Sequence, residues 1–402
     1  MEGTITAKIG YLYFSAVEKE RMGALLQKSM AELTEVYPGI TFASSRDEKL
    51  PPILADIKTA EDFLYGGGLT FPCHRYLWSD VDCEVKGLRL YDSHVLMTLY
   101  HDSNVCQVGV YFTVEAATPQ ELIYLRQIFG SSTPVTKDGT SISGLADRLF
   151  APMGASTEEA ETGYTLEITD FYGEESLEDV LRENAQVTYG MLTGDEGYEY
   201  VPLGLAKKRI ASCWGSRDFF SAIAFRNNFL LFHLVNGSRA EAYRDYQTKF
   251  GTTYYGSPNP YFFMNSRTAC VNHGLFFSAE TGLVAKTICS HVLNHQSKLS
   301  HETHLKVRES IQTTKELRRD LIVTLNRLES IGIAELGELD RLIMSGLEID
   351  PMVEKIKYLL ELLESELDLL YQTSTNTLVN ILTVVGLLLS VAQVIVEFCG
   401  IR

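Results

Sequence analysis

Histidine and cysteine are the side chains best able to ligate a metal or attack a substrate near neutral pH. His291 and His295 stand four residues apart, on one face of any helix that carries them, with Cys289 beside them and His301 and His304 further on. Such a group can hold zinc or another divalent cation, whereas solvent-facing histidines on a polar helix need no ligand. His301-Glu302-Thr303-His304 lacks the HExxH spacing of zinc proteases. Cys73-His74, and Trp214 with Arg217 and Asp218, suit either a pocket or ordinary packing. Gly66-Gly67-Gly68 would let backbone approach a phosphate or form a flexible turn, and Lys207-Lys208-Arg209 offers an anion contact. The chain has no P-loop, GxGxxG, GxSxG or HExxH motif, so no catalytic residue is assigned.

The 402 residues carry 35 basic and 52 acidic side chains, a formal charge of -17 that argues against a nucleic-acid partner. Hydrophobic residues make up 45% of the chain, enough for large cores. The seven cysteines are scattered without a CxxC pair, which fits a reducing compartment better than a disulfide framework. Glu2 stands where a signal peptide would be basic, and the short apolar run Ile9 to Phe14 reads as a first strand.

Residues 1–278 are expected to form a cytosolic α+β (mixed α/β) domain. Alternation predicts strands at Lys8 to Phe14, Val95 to Tyr100, Val105 to Val114, Tyr164 to Ile168 and Ala222 to Leu234, the last turning at Asn227-Asn228. Helices are predicted at Val17 to Val36 and Pro119 to Phe129, and the loop-rich stretch 131–162 offers a break between two subdomains. Between Glu158 and Glu199, thirteen acidic residues face only Arg182, the pattern of a solvated surface.

Beyond about Ala279 the pattern becomes helical. A long helix is predicted from Glu280 to Ser330 and a short one from Glu335 to Met344, ended by Ser345-Gly346. Together these make 279–350 a helical hairpin. Its tip carries Glu335, Glu338, Asp340, Glu348 and Asp350 against Arg341, either a solvated turn or a site for a divalent cation or a protein partner. Asp350-Pro351 has the form of an N-cap followed by proline at the first helical position. From Met352 to Phe398 nothing breaks the helix, which would measure roughly 70 Å.

Residues 351–377 form the stalk of that expected helix and 378–398 its transmembrane segment. Leu378 to Val396 is predominantly apolar and uncharged, and its nineteen residues rise roughly 28 Å, close to the hydrocarbon thickness. A buried core helix is the alternative. Asn376, Thr383, Ser390 and Glu397 recur every seven residues, with Gln372, Gly386 and Gln393 on the neighbouring seam. Facing lipid would be costly, so this stripe is expected to serve as interhelical hydrogen-bond glue or as pore lining. Either role requires an oligomer.

A cytosolic α/β domain, a helical pair with an acidic tip and a very long helix entering the membrane through TSTNTLVNILTVV together resemble the CorA family of magnesium transporters. The resemblance covers mainly residues 279–402 and is architectural. It implies a pentamer-like ring around a pore lined by this helix. The family's Gly-Met-Asn signature and second span are missing from this sequence, so it implies a single-span derivative rather than a magnesium transporter. By analogy with CorA-like effectors of prokaryotic defence, the output would be ion conduction or membrane disruption.

The expected function is thus a membrane-anchored, non-enzymatic homo-oligomer. Its cytosolic domain answers an unidentified ligand or protein, and its partners are the lipid bilayer and further copies of itself. A tail-anchored, non-conducting scaffold and a membrane-tethered enzyme with its site in residues 1–278 are the alternatives.

Overall fold

A computed structural model describes residues 4–65, 71–79, 81–85, 87–171, 181–182, 184–210, 213–217, 220–234, 240–250, 253–254, 257–258, 273–301, 319, 334–358, 361 and 382–390. The chain divides into two compact units, Met1–Val292 with Asp320–Asp350, and Leu293–Arg319 with Pro351–Arg402.

The first unit is mixed α/β, built on one nine-stranded mixed sheet. In chain order its strands are β1 (Ile5–Ala16), β2 (Ala43–Ser44), β3 (Cys73–Trp78), β6 (Tyr91–Tyr100), β7 (Val105–Ala117), β8 (Glu161–Phe171), β9 (Cys213–Arg217), β10 (Phe220–Phe225) and β11 (Asn228–His233). A separate two-stranded hairpin, β4 (Glu84–Val85) and β5 (Leu88–Arg89), stands outside it. The order across the sheet is β2-β3-β6-β7-β1-β8-β11-β10-β9, antiparallel throughout except where β8 and β11 run parallel. β1 is central, paired on one side with β7 (Tyr11 opposite Val110) and on the other with β8 (Tyr11 opposite Tyr164). Its near-continuous run of apolar and aromatic residues is what a strand covered on both faces needs.

The helices are α1 (Lys19–Leu26), α2 (Met30–Val36), α3 (Pro52–Tyr65), α4 (Pro119–Gln127), α5 (Ile142–Phe150), α6 (Ala185–Thr193), α7 (Leu203–Ile210), α8 (Ala240–Phe250), α9 (His273–His301) and α10 (Ala334–Gly346). One face of the sheet is apolar. There the Tyr11 hydroxyl donates to the carbonyl of Leu125, which lies on α4. The Tyr37 hydroxyl donates to the carbonyl of Leu149 on α5 at 3.2 Å, and Tyr189 of α6 packs on Phe225. The opposite face meets α3, α9 and α10, through Glu61 to Arg75, Leu283 to Gly163 and Gly346 to Ala224. That face carries the buried charges.

Four of the five predicted strands lie within observed strands, and the fifth, Ala222 to Leu234, covers most of the β10–β11 hairpin and ends one residue past β11. The single helix expected over Val17 to Val36 is two, because Ser29 closes a capping box with Glu32 and starts α2 afresh. The α4 cap is of the same kind, Thr118 with Glu121. In the hairpin of β10 and β11 the positive φ falls on Arg226 (53°) rather than on an asparagine. The loop-rich stretch 131–162 contains α5 and the start of β8, and the β1–β8 pairing carries the sheet straight through it. α9 begins at His273, seven residues before the expected start at Glu280, and 302–318 lie outside the described residues. Backbone is helical over 349–358, so Asp350 sits in the first turn rather than at the cap, and Glu348 before it has φ 57°.

Residues 382–390 are helical and exposed; the rest of the expected span 378–398 lies outside the described residues, as do Gln372, Asn376, Gln393 and Glu397. Among the described residues no helix is long and apolar enough to cross a membrane.

Close approach within the sheet depends on two glycines. The Tyr111 ring lies across neighbouring β1 and β7, and a Cβ on Gly109 would stand 2.5 Å from its Oη, one on Gly10 2.9 Å from its Cε1. Overpacking of this kind costs about 1–3 kcal/mol. Gly109→Ala and Gly10→Ala are each expected to destabilise the chain in that range. A Cβ on Gly10 would also overlap Thr165 Oγ1, so the two clashes share the Tyr111 ring only in part. The double variant should therefore cost more than either single one and somewhat less than their sum in denaturant unfolding.

Candidate functional site

An arginine carried into a sheet interior must be neutralised there, since an unpaired buried charge costs several kcal/mol. Arg75 is such a residue, with a side chain 4% exposed on β3. Its Nη1 donates to Glu280 Oε1 at 2.7 Å and its Nη2 to Glu280 Oε2 at 2.8 Å, a bidentate pair reaching α9. Nε donates to Glu61 Oε1 of α3 at 3.1 Å, Nη2 stands 3.0 Å from the same oxygen, and Nη1 also donates to Thr98 Oγ1 on β6 at 3.0 Å. The guanidinium lies 5.1 Å from the Phe276 ring centroid and 5.9 Å from that of Phe277. Burial opposes the Arg75 charge, but the Cys73 sulfur, Glu280 and Glu61 raise its pKa well above the ordinary value. Burial raises the Glu280 carboxyl, against the pull of Arg75.

Of the five N–H donors of an arginine, four make hydrogen bonds here, and Nη2 also faces Glu61 Oε1. The cluster acts as a lock between β3, α3 and α9. A polar chain extends from it across the sheet. The Tyr100 hydroxyl, beside Glu280, donates to Gln107 Oε1 at 3.1 Å, and Gln107 Nε2 donates to the Tyr111 hydroxyl at 3.2 Å. His94 stacks on Tyr111 at 5.3 Å, and burial lowers its pKa to about 4.

A second buried cluster lies on the same face. Glu167, fully buried on β8, accepts from or shares a proton with His233 Nδ1 at 2.9 Å and lies 3.8 Å from Lys8 Nζ. Glu161, on the same strand, accepts from Ser290 at 2.6 Å and pairs with Lys286 at 3.4 Å, both on α9. The acidic stretch read as a solvated surface thus supplies one fully buried carboxylate, Glu167, and one part-exposed one, Glu161.

The sequence-predicted residues are dispersed. Cys73 and His74 are neighbours on β3 and so face opposite sides of the sheet. Burial pushes the Cys73 thiol up to about 12, while His74 meets Ser44 at 3.0 Å and Ser45 at 3.3 Å and is lowered to about 4 by burial. Burial also raises the thiols of Cys83 (about 11), Cys106 and Cys289 (about 12), so none of these four is activated as a nucleophile. His291 is exposed on α9, and Cys289, two residues before it and so on another side of the helix, is buried. The side chains of His295 and His301, and all of His304, lie outside the described residues, and among those described no group of three metal-ligating side chains occurs. Gly66-Gly67-Gly68 and Asp218 lie outside them as well, as do the side chains of Trp214 and Arg217. Arg209 is bound to the Tyr189 hydroxyl and stacked on Tyr189 and Phe225, whereas Lys207 and Lys208 are exposed.

The acidic tip divides. Glu338, Glu348 and Asp350 are exposed, the Glu335 side chain lies outside those described, and Asp340 is buried within α10. Neither Asp340 oxygen has a hydrogen-bond partner among the described residues. Burial pushes its pKa up to about 7, with the nearby Ser278 hydroxyl acting the other way.

Arg75, Glu61, Glu280 and Glu167 were not singled out from sequence. The available signal was isolation of a charge among apolar neighbours: Arg75 within CHRYLW and Glu280 within LFFSAETGLVA.

These buried charges can be tested separately. Glu280→Leu alone should cost about 3–5 kcal/mol by leaving Arg75 under-compensated, and adding Arg75→Met should recover part of that loss. Equal instability of single and double variants in denaturant unfolding would refute the lock. For Asp340 the folded pKa (about 7) exceeds the ordinary 3.8, so stability falls as pH rises through that window and stays low above it. Asp340→Asn should flatten this decline and leave the chain about 2–4 kcal/mol more stable than the parent at pH 8. An unchanged profile of melting temperature against pH would refute the assignment.

No family model matches the chain, and the searches of curated proteins and of solved structures likewise return no match.

Proposed function

We propose that the chain is a membrane-anchored homo-oligomer whose 378–398 segments bundle in the bilayer, with the sheet unit as the part that receives a signal. The observation that supports this most directly is the state of residues 382–390. Leu382, Val384, Val385, Leu387, Leu388 and Leu389 are 44% to 66% exposed on one helical stretch. At 100° per residue these six side chains cover about 220° of the helix surface, and Thr383, Gly386 and Ser390 share the remaining arc. Hydrocarbon or other apolar helices satisfy such a segment, and backbone bonding within a helix suits it to a bilayer.

Ser390 donates to the Gly386 carbonyl at 2.9 Å within its own helix, so the case for oligomerisation rests on the seven-residue spacing of Asn376, Thr383, Ser390 and Glu397 and not on an unmet hydroxyl. The lock on Glu280 gives the proposal its other half. It sits on α9, whose chain leaves the first unit at Val292 and continues as Leu293 of the second. A signal that altered the packing of α9 on the sheet would thus act on a helix covalently continuous with the second unit. CorA-like, single-span architecture remains part of this proposal, as does conduction or membrane disruption as the output.

The full-length chain should resist alkaline carbonate extraction from membranes and give a ring of roughly four to six copies by native mass spectrometry in nanodiscs; a monomer would overturn the bundle. If the stripe lines a pore, Thr383→Leu with Ser390→Leu should abolish conductance in planar bilayers. Unchanged currents would exclude the lumen, and a ring that never conducts would make the chain a tail-anchored scaffold.

A further inference from the structure

We propose a second membrane contact, on the first unit: the segment Tyr200 to Lys208 docks on an anionic lipid surface, its apolar side chains entering the interface and its lysines meeting headgroups. Exposed large apolar side chains are few among the described residues of that unit: Tyr91, Tyr200, Leu203 and Leu205. Three of the four fall within six consecutive positions. Tyr200 is 90% exposed, Leu203 45% and Leu205 40%, and Pro202 and Gly204 between them are exposed too. Single exposed leucines need no explanation, but three large apolar side chains exposed within six positions, with two exposed lysines following, mark a candidate interaction surface.

The segment is rigidly held. Gln186 Nε2 donates to the carbonyls of Glu199 (3.1 Å) and Val201 (2.6 Å), and the backbone N–H of Tyr200 donates to the Gly197 carbonyl at 2.9 Å. Tyr198, the preceding aromatic, is buried against Gly190. Alternate tyrosines are thus used oppositely, one anchoring the loop and the other presented outward. On α7, Ala206 and Ile210 face inward, while Leu203, Gly204, Leu205, Lys207 and Lys208 occupy the outer arc.

Charge selects the occupant. In a chain of net charge -17, Lys207 and Lys208 are exposed side by side and make no ion pair among the described residues. Arg209 is turned inward to Tyr189 and Phe225. On the other flank Glu196 and Glu199 are exposed, the latter with a carboxylate oxygen 3.5 Å from the Tyr198 hydroxyl. An aromatic at the tip, leucines beside it and lysines behind match an anionic membrane interface, where tyrosine sits at headgroup depth and each lysine gains from the negative surface potential. The inference concerns a different segment from the C-terminal anchor and stands without it.

The test is amide hydrogen exchange over residues 198–210 in the full-length chain, compared in detergent, in phosphatidylcholine vesicles and in vesicles that also contain phosphatidylserine. Exchange should slow roughly tenfold on the anionic vesicles alone, and high salt should reverse the slowing. Tyr200→Ser with Leu203→Ser and Leu205→Ser, and separately Lys207→Gln with Lys208→Gln, should each remove the protection; all five positions are exposed, so folding is preserved. Absence of protection on anionic vesicles, or protection in both variants, would overturn the proposal. Equal protection on both vesicle types would overturn the role of charge, and concentration-dependent protection in detergent would assign the patch to another copy of the chain. Neutral and anionic vesicles hold the C-terminal segment alike, so failure of the anchor leaves this comparison intact.

Discussion

A guanidinium stripped of water on a sheet face must be surrounded by charge, and much of the first unit follows from that necessity. Arg75 is carried inward by the alternation of β3. Its neutralisation then requires a carboxylate from α3 on one side and one from α9 on the other. The two helices are thereby fixed to the sheet by directional bonds rather than by apolar contact alone. Phe276 and Phe277 close over the pair, excluding the water that would otherwise screen it. Such a cluster gives little net stability compared with apolar packing, but it specifies one helix position sharply.

The two faces of the sheet divide the labour accordingly. One is packed by aromatic and aliphatic side chains beneath α4, α5 and α6. The other combines Arg75, Gln107, Glu167 and His233 with Gly10, Gly109 and Gly163, where small residues admit a ring or a helix side chain close to the backbone. On this polar face Arg75 ties β3 to α3 and α9, and Gln107 links Tyr100 to Tyr111 across the sheet.

Sequence patterning disclosed the strands well because alternation and β-branched content are local. β1, β7 and β8 could be read directly from runs such as KIGYLYF and VCQVGVYFTV. It failed where local rules conflict. The helical period of residues 17–36 continues across the capping box at Ser29, so one helix was read where a new one begins. Short β3 escaped notice because CHRYLW places His74 and Arg75 among its buried residues, and their polar partners are remote in sequence; Glu280 is 205 positions from Arg75. Pairings of that kind have no spacing signature. Asp340 shows the reverse error: its acidic neighbours are exposed, and nothing in their pattern marks the one carboxylate turned inward.

The place of β1 bears on how the chain reaches this state. It precedes the other described strands in the chain, yet it lies at the centre of the sheet, opposite partners that begin at Val105 and at Glu161. Neither of its long edges can be closed until those residues have left the ribosome. At about 5–20 residues per second, Phe171 emerges roughly ten to thirty seconds after β1. Until Ala117 has emerged both edges of this twelve-residue strand are open, and until Phe171 one of them remains so. Nucleation must therefore bring together segments far apart in sequence, a topology that slows folding and favours chaperone capture during synthesis.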